Sequence, residues 1–113
     1  MKLSEKQIIF SKNIASLIVY ADLIGIQLTF GHAWRDFETQ RRMVATGKSK
    51  TLKSNHLKRL AVDFNFFING RVTYDKNKLS DLGRFWESLH EFNRWGGNFK
   101  NFLDVPHFEM QDL

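Results

Sequence analysis

The chain has 113 residues, 42% of them hydrophobic and 14% aromatic, which suits one globular domain and excludes a disordered chain. It contains no cysteine, so disulfides and thiolate metal sites are excluded and any bound metal must take nitrogen and oxygen ligands. The net charge of +5 favours polyanionic partners such as nucleic acid, anionic lipid or bacterial wall polymers. A basic surface that serves only solubility explains the same charge.

The N-terminus lacks the long apolar run and the cleavage site of a signal peptide. No apolar run approaches the roughly 20 residues of a membrane span. We therefore expect a protein that is made in the cytoplasm, has no stable membrane association and needs another route for export. Without repeats or linkers, residues 1–113 are expected to form a single domain.

The first predicted element is a helix over residues 4–24. Its start has the form of a capping box, with Ser4 as N-cap and Gln7 reaching back. Apolar residues follow at helical spacing until Gly25. Residues 26–30 then alternate in polarity, which predicts a short strand.

A second helix is predicted over residues 37–46, with Asp36 as its cap and Gly47 closing it. Residues 48–53 are polar and basic, which is typical of a surface loop. Residues 60–68 are rich in β-branched and aromatic side chains and predict a strand.

The second half of the chain continues this alternation of strand and helix. Asn69-Gly70 predicts a hairpin turn into a return strand over residues 71–74. After a turn at residues 75–78, apolar residues at helical spacing predict a third helix over residues 80–92. A loop hinged on two glycines leads to a last strand over residues 105–110.

Two segments combine a histidine with a carboxylate, His56 with Asp63 and Asp104 with His107. Two histidines and a carboxylate form a common catalytic zinc set that leaves a fourth position for water. A further carboxylate can take the proton of that water. We therefore predict that His56, Asp63 and His107 bind Zn²⁺ and that Asp104 acts as the base. A continuous strand would place His56 and Asp63 on opposite faces, so the chain must bend between them.

Structural ion pairs are the alternative explanation for the same residues. Asp63 lies on an apolar strand, where an unpaired carboxylate would be costly. A salt bridge to Arg35, Lys58 or Arg59 would satisfy it without a metal. Asp104 would then only cap a turn.

The sequence resembles a known family of zinc peptidases. That family includes D-alanyl-D-alanine carboxypeptidases, vancomycin-resistance dipeptidases and phage L-alanyl-D-glutamate endopeptidases. The resemblance runs from about Gly31 to the C-terminus. It is carried by the motifs Ser54-x-His56, Ala61-x-Asp63, Trp95-Gly96-Gly97 and Asp104-x-x-His107-Phe108-Glu109. It implies the α+β fold shared with the zinc module of Hedgehog signalling proteins, a small antiparallel sheet with helices packed on it.

The resemblance also implies roles for individual residues. It makes His56, Asp63 and His107 the zinc ligands and Asp104 the general base. Trp34-Arg35 followed by Gln40 is similar to the family's Tyr-Arg…Gln segment, which implies that Arg35 stabilises the oxyanion near the substrate carbonyl.

Four further residues near these motifs have predicted roles in the site. Ser54 and Trp95 are predicted to contact substrate, although Ser54 could simply shape its loop and Trp95 could be core. Gln40 and Glu109 are predicted to support the metal ligands, although Glu109 could face solvent. Where the family usually has glycine, three residues after the first histidine, this chain has Arg59, which implies a rearranged bend if that position needs positive φ.

The resemblance implies a monomeric peptidase acting on peptidoglycan stem peptides in the cell wall. We expect an L-alanyl-D-glutamate endopeptidase of the phage endolysin type, because Asp104 replaces the glutamate of the dipeptidase branch. The alternatives are a D-Ala-D-Ala carboxypeptidase and a zinc-stabilised module that binds wall polymer or nucleic acid without cleaving. No nucleic-acid-binding motif is present, so nucleic acid is not expected as a partner.

Overall fold

The computed structural model describes all 113 residues as an α+β fold. The helices are α1 (Leu3–Leu23), α2 (Phe37–Ala45) and α3 (Lys76–Ser88). The strands are β1 (Gln27–Phe30), β2 (Ala61–Ile68), β3 (Arg71–Thr73), β4 (Asn93–Trp95) and β5 (His107–Met110). Two short 3-10 helices span Asn55–Lys58 and Gly96–Asn98. The predicted class, a small antiparallel sheet with helices packed on it, is confirmed.

The sheet is organised around β2, its longest strand. The strand order is β1-β2-β5-β4, β3 also pairs with β2, and every pairing is antiparallel. Alternation along β2 turns Val62, Phe64 and Phe66 into the core, where Phe108 of β5 packs against both phenylalanines. The helices α1 and α3 add Phe10, Leu17, Leu82 and Trp86, among others, to this core. The side chains at the alternate positions of β2 and β5 point to the other face of the sheet, which can therefore be polar.

Two turns form as the sequence predicts. Asp36 caps α2, since its Oδ1 accepts a hydrogen bond from the Thr39 backbone N–H at 2.7 Å. Asn69 and Gly70 have φ values of 52° and 77°, as a tight hairpin turn with two left-handed residues requires. None of the helices is long and apolar enough to cross a membrane.

The start of α1 differs from the prediction. The helix begins at Leu3, and the Glu5 carboxylate accepts a hydrogen bond from the Lys2 backbone N–H at 3.3 Å. Gln7 does not reach back along the helix; its Nε2 donates to the carbonyl oxygen of Lys58 at 2.7 Å. The predicted capping box with Ser4 as N-cap is wrong, because a tertiary contact takes the side chain that would have closed it.

The boundaries of α3 also differ from the prediction. Asp75 caps the helix by accepting a hydrogen bond from the Asn77 backbone N–H at 2.9 Å. Residues 76–78, predicted as a turn, therefore form the first turn of the helix, which ends at Ser88.

The segment predicted as a glycine-hinged loop is packed tightly. It forms β4 and the following 3-10 turn, in which Trp95, Gly96 and Gly97 are all buried. A Cβ at Gly96 would overlap the carbonyl oxygen of Asp104 and lie 2.9 Å from the Cβ of His107. A Cβ at Gly97 would overlap the Trp95 ring. These glycines allow close packing, and the hinge interpretation is wrong.

Candidate metal centre

The three predicted ligands converge on the polar face of the sheet. The register of β2 and β5 places Asp63 directly opposite His107. Asp63 Oδ1 lies 3.2 Å from His56 Nε2 and 3.2 Å from His107 Nδ1. All three ligand atoms lie within 4.8 Å of one another. Ligand atoms around a tetrahedral zinc ion are about 3.3 Å apart, so this donor set fits a metal of that type.

His56 reaches the site from the 3-10 helix Asn55–Lys58. Ser54 caps this helix, because its Oγ accepts a hydrogen bond from the His56 backbone N–H at 3.2 Å. The helix ends at Arg59, whose φ of 57° and ψ of 36° turn the chain into β2. Arg59 thus adopts the left-handed conformation that glycine favours, and its guanidinium lies 4.8 Å from the centre of the Trp34 ring. The positive-φ position of this bend is therefore occupied by an arginine.

The ionisation of His56 is set by its surroundings. Burial lowers the pKa of His56, which outweighs the opposing effect of Asp63 and favours the neutral ring that a metal needs. Its Nδ1 is buried without a hydrogen-bond partner, so Nε2 is the nitrogen engaged at the site.

Glu109 orients His107 from the next position on the same face of β5. His107 Nε2 lies 2.7 Å from Glu109 Oε1, which leaves Nδ1 directed toward Asp63. Arg94, opposite Glu109 in the β4–β5 register, donates to Glu109 Oε2 at 3.0 and 2.6 Å. Glu109 is only 5% exposed, so the alternative in which it faces solvent is wrong.

These contacts shift both pKa values. Burial opposes ionisation of Glu109, but hydrogen bonds and charge from His107 and Arg94 lower its pKa to about 2. Burial likewise opposes protonation of His107, but Asp63 and Glu109 outweigh it and raise the His107 pKa to about 9. Both carboxylates therefore favour the protonated ring, which must release a proton before Nδ1 can bind a metal.

Arg35 supports Asp63 from the other side. Its Nη2 donates to Asp63 Oδ2 at 3.1 Å, Nη1 donates to Gln40 Oε1 at 3.0 Å, and Nε donates to His32 Nδ1 at 2.6 Å. The ion pair considered as an alternative for Arg35 is therefore formed. It coexists with the metal donor set, because it uses Oδ2 and leaves Oδ1 facing the two imidazoles. Gln40 is fully buried, so it fixes the position of the guanidinium.

Asp104 stands beside these groups without joining them. Its Oδ2 lies 3.9 Å from His107 Nδ1, and its side chain is 35% exposed. Burial raises its pKa above the ordinary value of 3.8, and none of the hydrogen bonds formed by side chains involves its carboxylate. A carboxylate placed in this way is free to accept a proton from a molecule in the adjacent cleft.

The donor set opens into a cleft of about 370 Å³. The residues that line it include Arg35, Ser54, His56, Asp104, His107 and Glu109 from the predicted site, together with Lys48, Lys50, Lys53, Arg94, Phe99 and Phe102. Trp95 does not reach the cleft: it is 1% exposed and its Nε1 donates to the Val105 carbonyl at 2.9 Å. The predicted contact of Trp95 with substrate is therefore wrong, and Trp95 is part of the core.

Apart from Arg35, the sequence prediction did not include the basic and aromatic residues of the cleft. Arg94 could have been found only from the strand register that sets it opposite Glu109. Lys48, Lys50 and Lys53 belong to the segment predicted as a surface loop. The three lysines within six residues are the sequence signal that indicates a basic binding surface.

Comparison with known proteins agrees with this geometry. Residues 47–110 match the sequence model of the D-alanyl-D-alanine carboxypeptidase family, a range that includes all three donor residues and Asp104. The L-alanyl-D-glutamate peptidase of Listeria phage A118 is 26% identical over 95 residues, which cover 83% of this chain and 34% of that protein. The chain thus spans about a third of the length of this curated relative.

A solved structure is similar as well. The crystal structure of the Serratia marcescens L-Ala D-Glu endopeptidase ChiX aligns with a TM-score of 0.66 and 28% identity, covering 76% of this chain and 68% of that one. The resemblance inferred from the motifs is confirmed. On the family match and the donor set together, the chain belongs to the D-alanyl-D-alanine carboxypeptidase family of metallopeptidases.

Proposed function

We propose that this chain is a zinc metallopeptidase that hydrolyses peptidoglycan stem peptides as an L-alanyl-D-glutamate endopeptidase. The observation that carries the proposal is the convergence of His56, Asp63 and His107, with Asp104 beside them in the lining of the cleft. The choice of the L-Ala–D-Glu bond is supported by two proteins that the chain resembles, the L-alanyl-D-glutamate peptidase of Listeria phage A118 and the L-Ala D-Glu endopeptidase ChiX. We also propose that it acts at the cell wall, as a monomer.

Zinc suits these donors better than other common divalent ions. Two imidazole nitrogens and one carboxylate oxygen, spaced for a tetrahedron, favour Zn²⁺ over Mg²⁺ or Ca²⁺, which prefer oxygen ligands. His56 Nε2, Asp63 Oδ1 and His107 Nδ1 would hold the ion. When bound, it supplies Lewis acidity, which polarises a carbonyl and lowers the pKa of water toward about 7.

Asp104 is the proposed general base. It would accept the proton of the attacking water and pass it to the leaving amine. Its lack of hydrogen bonds from other side chains suits this task, because a carboxylate already saturated by donors would be a weaker base. Its partial exposure also leaves it accessible to substrate.

Arg35 is proposed to stabilise the oxyanion while it holds Asp63. A guanidinium carries five N–H donors, and Arg35 uses three of them in the bonds to Asp63, Gln40 and His32. Two donors remain, and the residue lines the cleft. A preorganised donor of this kind typically contributes about 3 kcal/mol to the stabilisation of a transition state.

The test is digestion of purified peptidoglycan by the zinc-loaded protein, followed by mass spectrometry of the fragments. We expect new amino termini at D-glutamate. The variant Asp104→Asn should lower the rate about 100-fold or more while retaining one zinc per chain. Asp22→Asn, a change of the same kind on the exposed surface of α1, should leave the rate unchanged.

Other outcomes would decide between the alternatives. A wild-type rate in Asp104→Asn would show that the assigned base is wrong. Release of free D-alanine would favour the carboxypeptidase after which the family is named. Binding of the wall without any new amino terminus would favour a module that does not cleave.

A further inference from the structure

One wall of the cleft carries three lysines without acidic partners. Lys48, Lys50 and Lys53 lie between α2 and the 3-10 helix Asn55–Lys58, and all three are exposed and line the cleft. None of them has a carboxylate oxygen within 4.0 Å, since no salt bridge of the structure includes them. We call these three residues the lysine wall.

The two arginines of the cleft are already paired with acids. Arg35 pairs with Asp63 at 3.1 Å, and Arg94 pairs with Glu109 at 2.6 Å. The remaining acid of the cleft is Asp104, which pairs with no lysine or arginine. The lysine wall therefore contributes three uncompensated positive charges to a cleft whose other ion pairs nearly cancel, and it attracts anionic groups.

The lysine wall is held in place by the same side chain that supports the metal donors. Gln40 Nε2 donates to Ser49 Oγ at 2.9 Å and to the carbonyl oxygen of Thr51 at 2.7 Å. Across the cleft, Lys50 Nζ lies 5.2 Å from the centre of the Phe102 ring. These contacts position the loop before any ligand binds, which reduces the entropy lost on binding.

We propose that the lysine wall binds the free carboxylate of the residue that supplies the leaving amine, and so selects acidic peptides as substrates. The proposal rests on the proposed endopeptidase function. A glutamate joined through its amine and one of its two carboxyl groups keeps the other carboxylate free. In an L-Ala–D-Glu bond that carboxylate is close to the scissile amide. Asp104 and the three lysines line the same cleft, so a substrate whose amide lies beside Asp104 brings its carboxylate near the lysine wall.

Two peptides isolate this interaction. One contains the L-Ala–D-Glu bond with the free carboxylate, and the other carries a carboxamide at that position. Binding is measured by NMR titration of the zinc-loaded Asp104→Asn protein, whose spectra also report any cleavage. We expect the carboxylate peptide to bind about tenfold more tightly, as a few solvent-exposed ion pairs allow.

A triple substitution of the lysine wall, K48Q/K50Q/K53Q, should remove this preference. The matched control is K12Q/K76Q/K78Q, which changes the net charge equally at exposed positions on α1 and α3. The control should keep the preference, because those lysines do not line the cleft.

The outcomes separate this proposal from the function on which it rests. Equal binding of the two peptides, or a preference that survives in K48Q/K50Q/K53Q, overturns the role of the lysine wall. Hydrolysis of both peptides at equal rates by the protein with Asp104 intact leaves the endopeptidase standing and refutes the selection. If the carboxylate peptide is preferred through the lysine wall but the protein with Asp104 intact hydrolyses neither peptide, the role of the lysine wall is supported and the endopeptidase function is refuted.

Discussion

Replacing Gly96 with alanine should displace two groups of the candidate site at once. The added Cβ would overlap the carbonyl oxygen of Asp104 and lie 2.9 Å from the Cβ of His107. Neither neighbour can turn away, since one is backbone and the other is the first side-chain atom of a residue in a paired strand. The backbone of the 3-10 turn or of the segment around Asp104 must therefore move.

The size of the effect follows from these contacts. Ordinary contacts of a Cβ lie between 3.4 and 4 Å, so relief of the overlap requires a shift of about 1 Å or more at Asp104. Overpacking of this kind typically costs about 1–3 kcal/mol of stability. A misplacement of about 1 Å in an active site can cost about 100-fold in rate. We expect Gly96→Ala to show both losses.

The assay must separate lost geometry from lost stability. Urea unfolding measures the stability of Gly96→Ala, and the hydrolysis rate is measured where the variant is fully folded. Leu82→Ala is the control: Leu82 is a fully buried residue of α3 outside the cleft, and its truncation should cost about 2–5 kcal/mol. The folded control should keep its activity. Wild-type activity in Gly96→Ala, or an equal loss in the folded control, would refute the reasoning.

Two further predictions test the surroundings of the site. Glu109→Gln removes the charge that orients and polarises His107, so zinc affinity should fall about 10–100-fold in a competition titration with a chelator; unchanged affinity would contradict this support. Hydrogen bonds from two lysine ammonium groups lower the pKa of Asp112 to about 2. Because the folded-state pKa is depressed, this stabilisation is present above the ordinary value of 3.8 and is lost as the pH falls through about 2. Asp112→Asn should therefore lower the urea midpoint clearly more at pH 7 than near pH 2, whereas an equal deficit at both pH values would exclude the linkage.

Local signals were sufficient for part of the fold. The Asp36 cap and the Asn69-Gly70 turn depend on residues within four positions of each other, and both were predicted correctly. The start of α1 was missed because Gln7 bonds to Lys58, a residue 51 positions away. Sequence alone does not distinguish a pair of glycines that bends from a pair that packs, so Gly96-Gly97 was assigned to a hinge.

The residues of the site were easier to predict than the hydrogen bonds and ion pairs that they form. The pairing of a histidine with a carboxylate in two segments, together with the resemblance to a peptidase family, was enough to select His56, Asp63 and His107. The partners of Glu109 depend on which strands pair and in which register, and a single sequence does not show this. The same limit concealed Arg94, whose position opposite Glu109 exists only in the folded sheet.

The register of the sheet ties the chemistry of the site to the packing of the core. His107 and Glu109 are two positions apart on β5 and share the polar face, while Phe108 between them is fully buried on the other face. A slip of one residue between β5 and β2 would bring Phe108 to Asp63 and turn His107 into the core. Such a slip would bury an imidazole among apolar side chains and expose a large aromatic ring, so the core opposes it strongly. The burial of Phe108 therefore holds Asp63 and His107 opposite each other in the sheet.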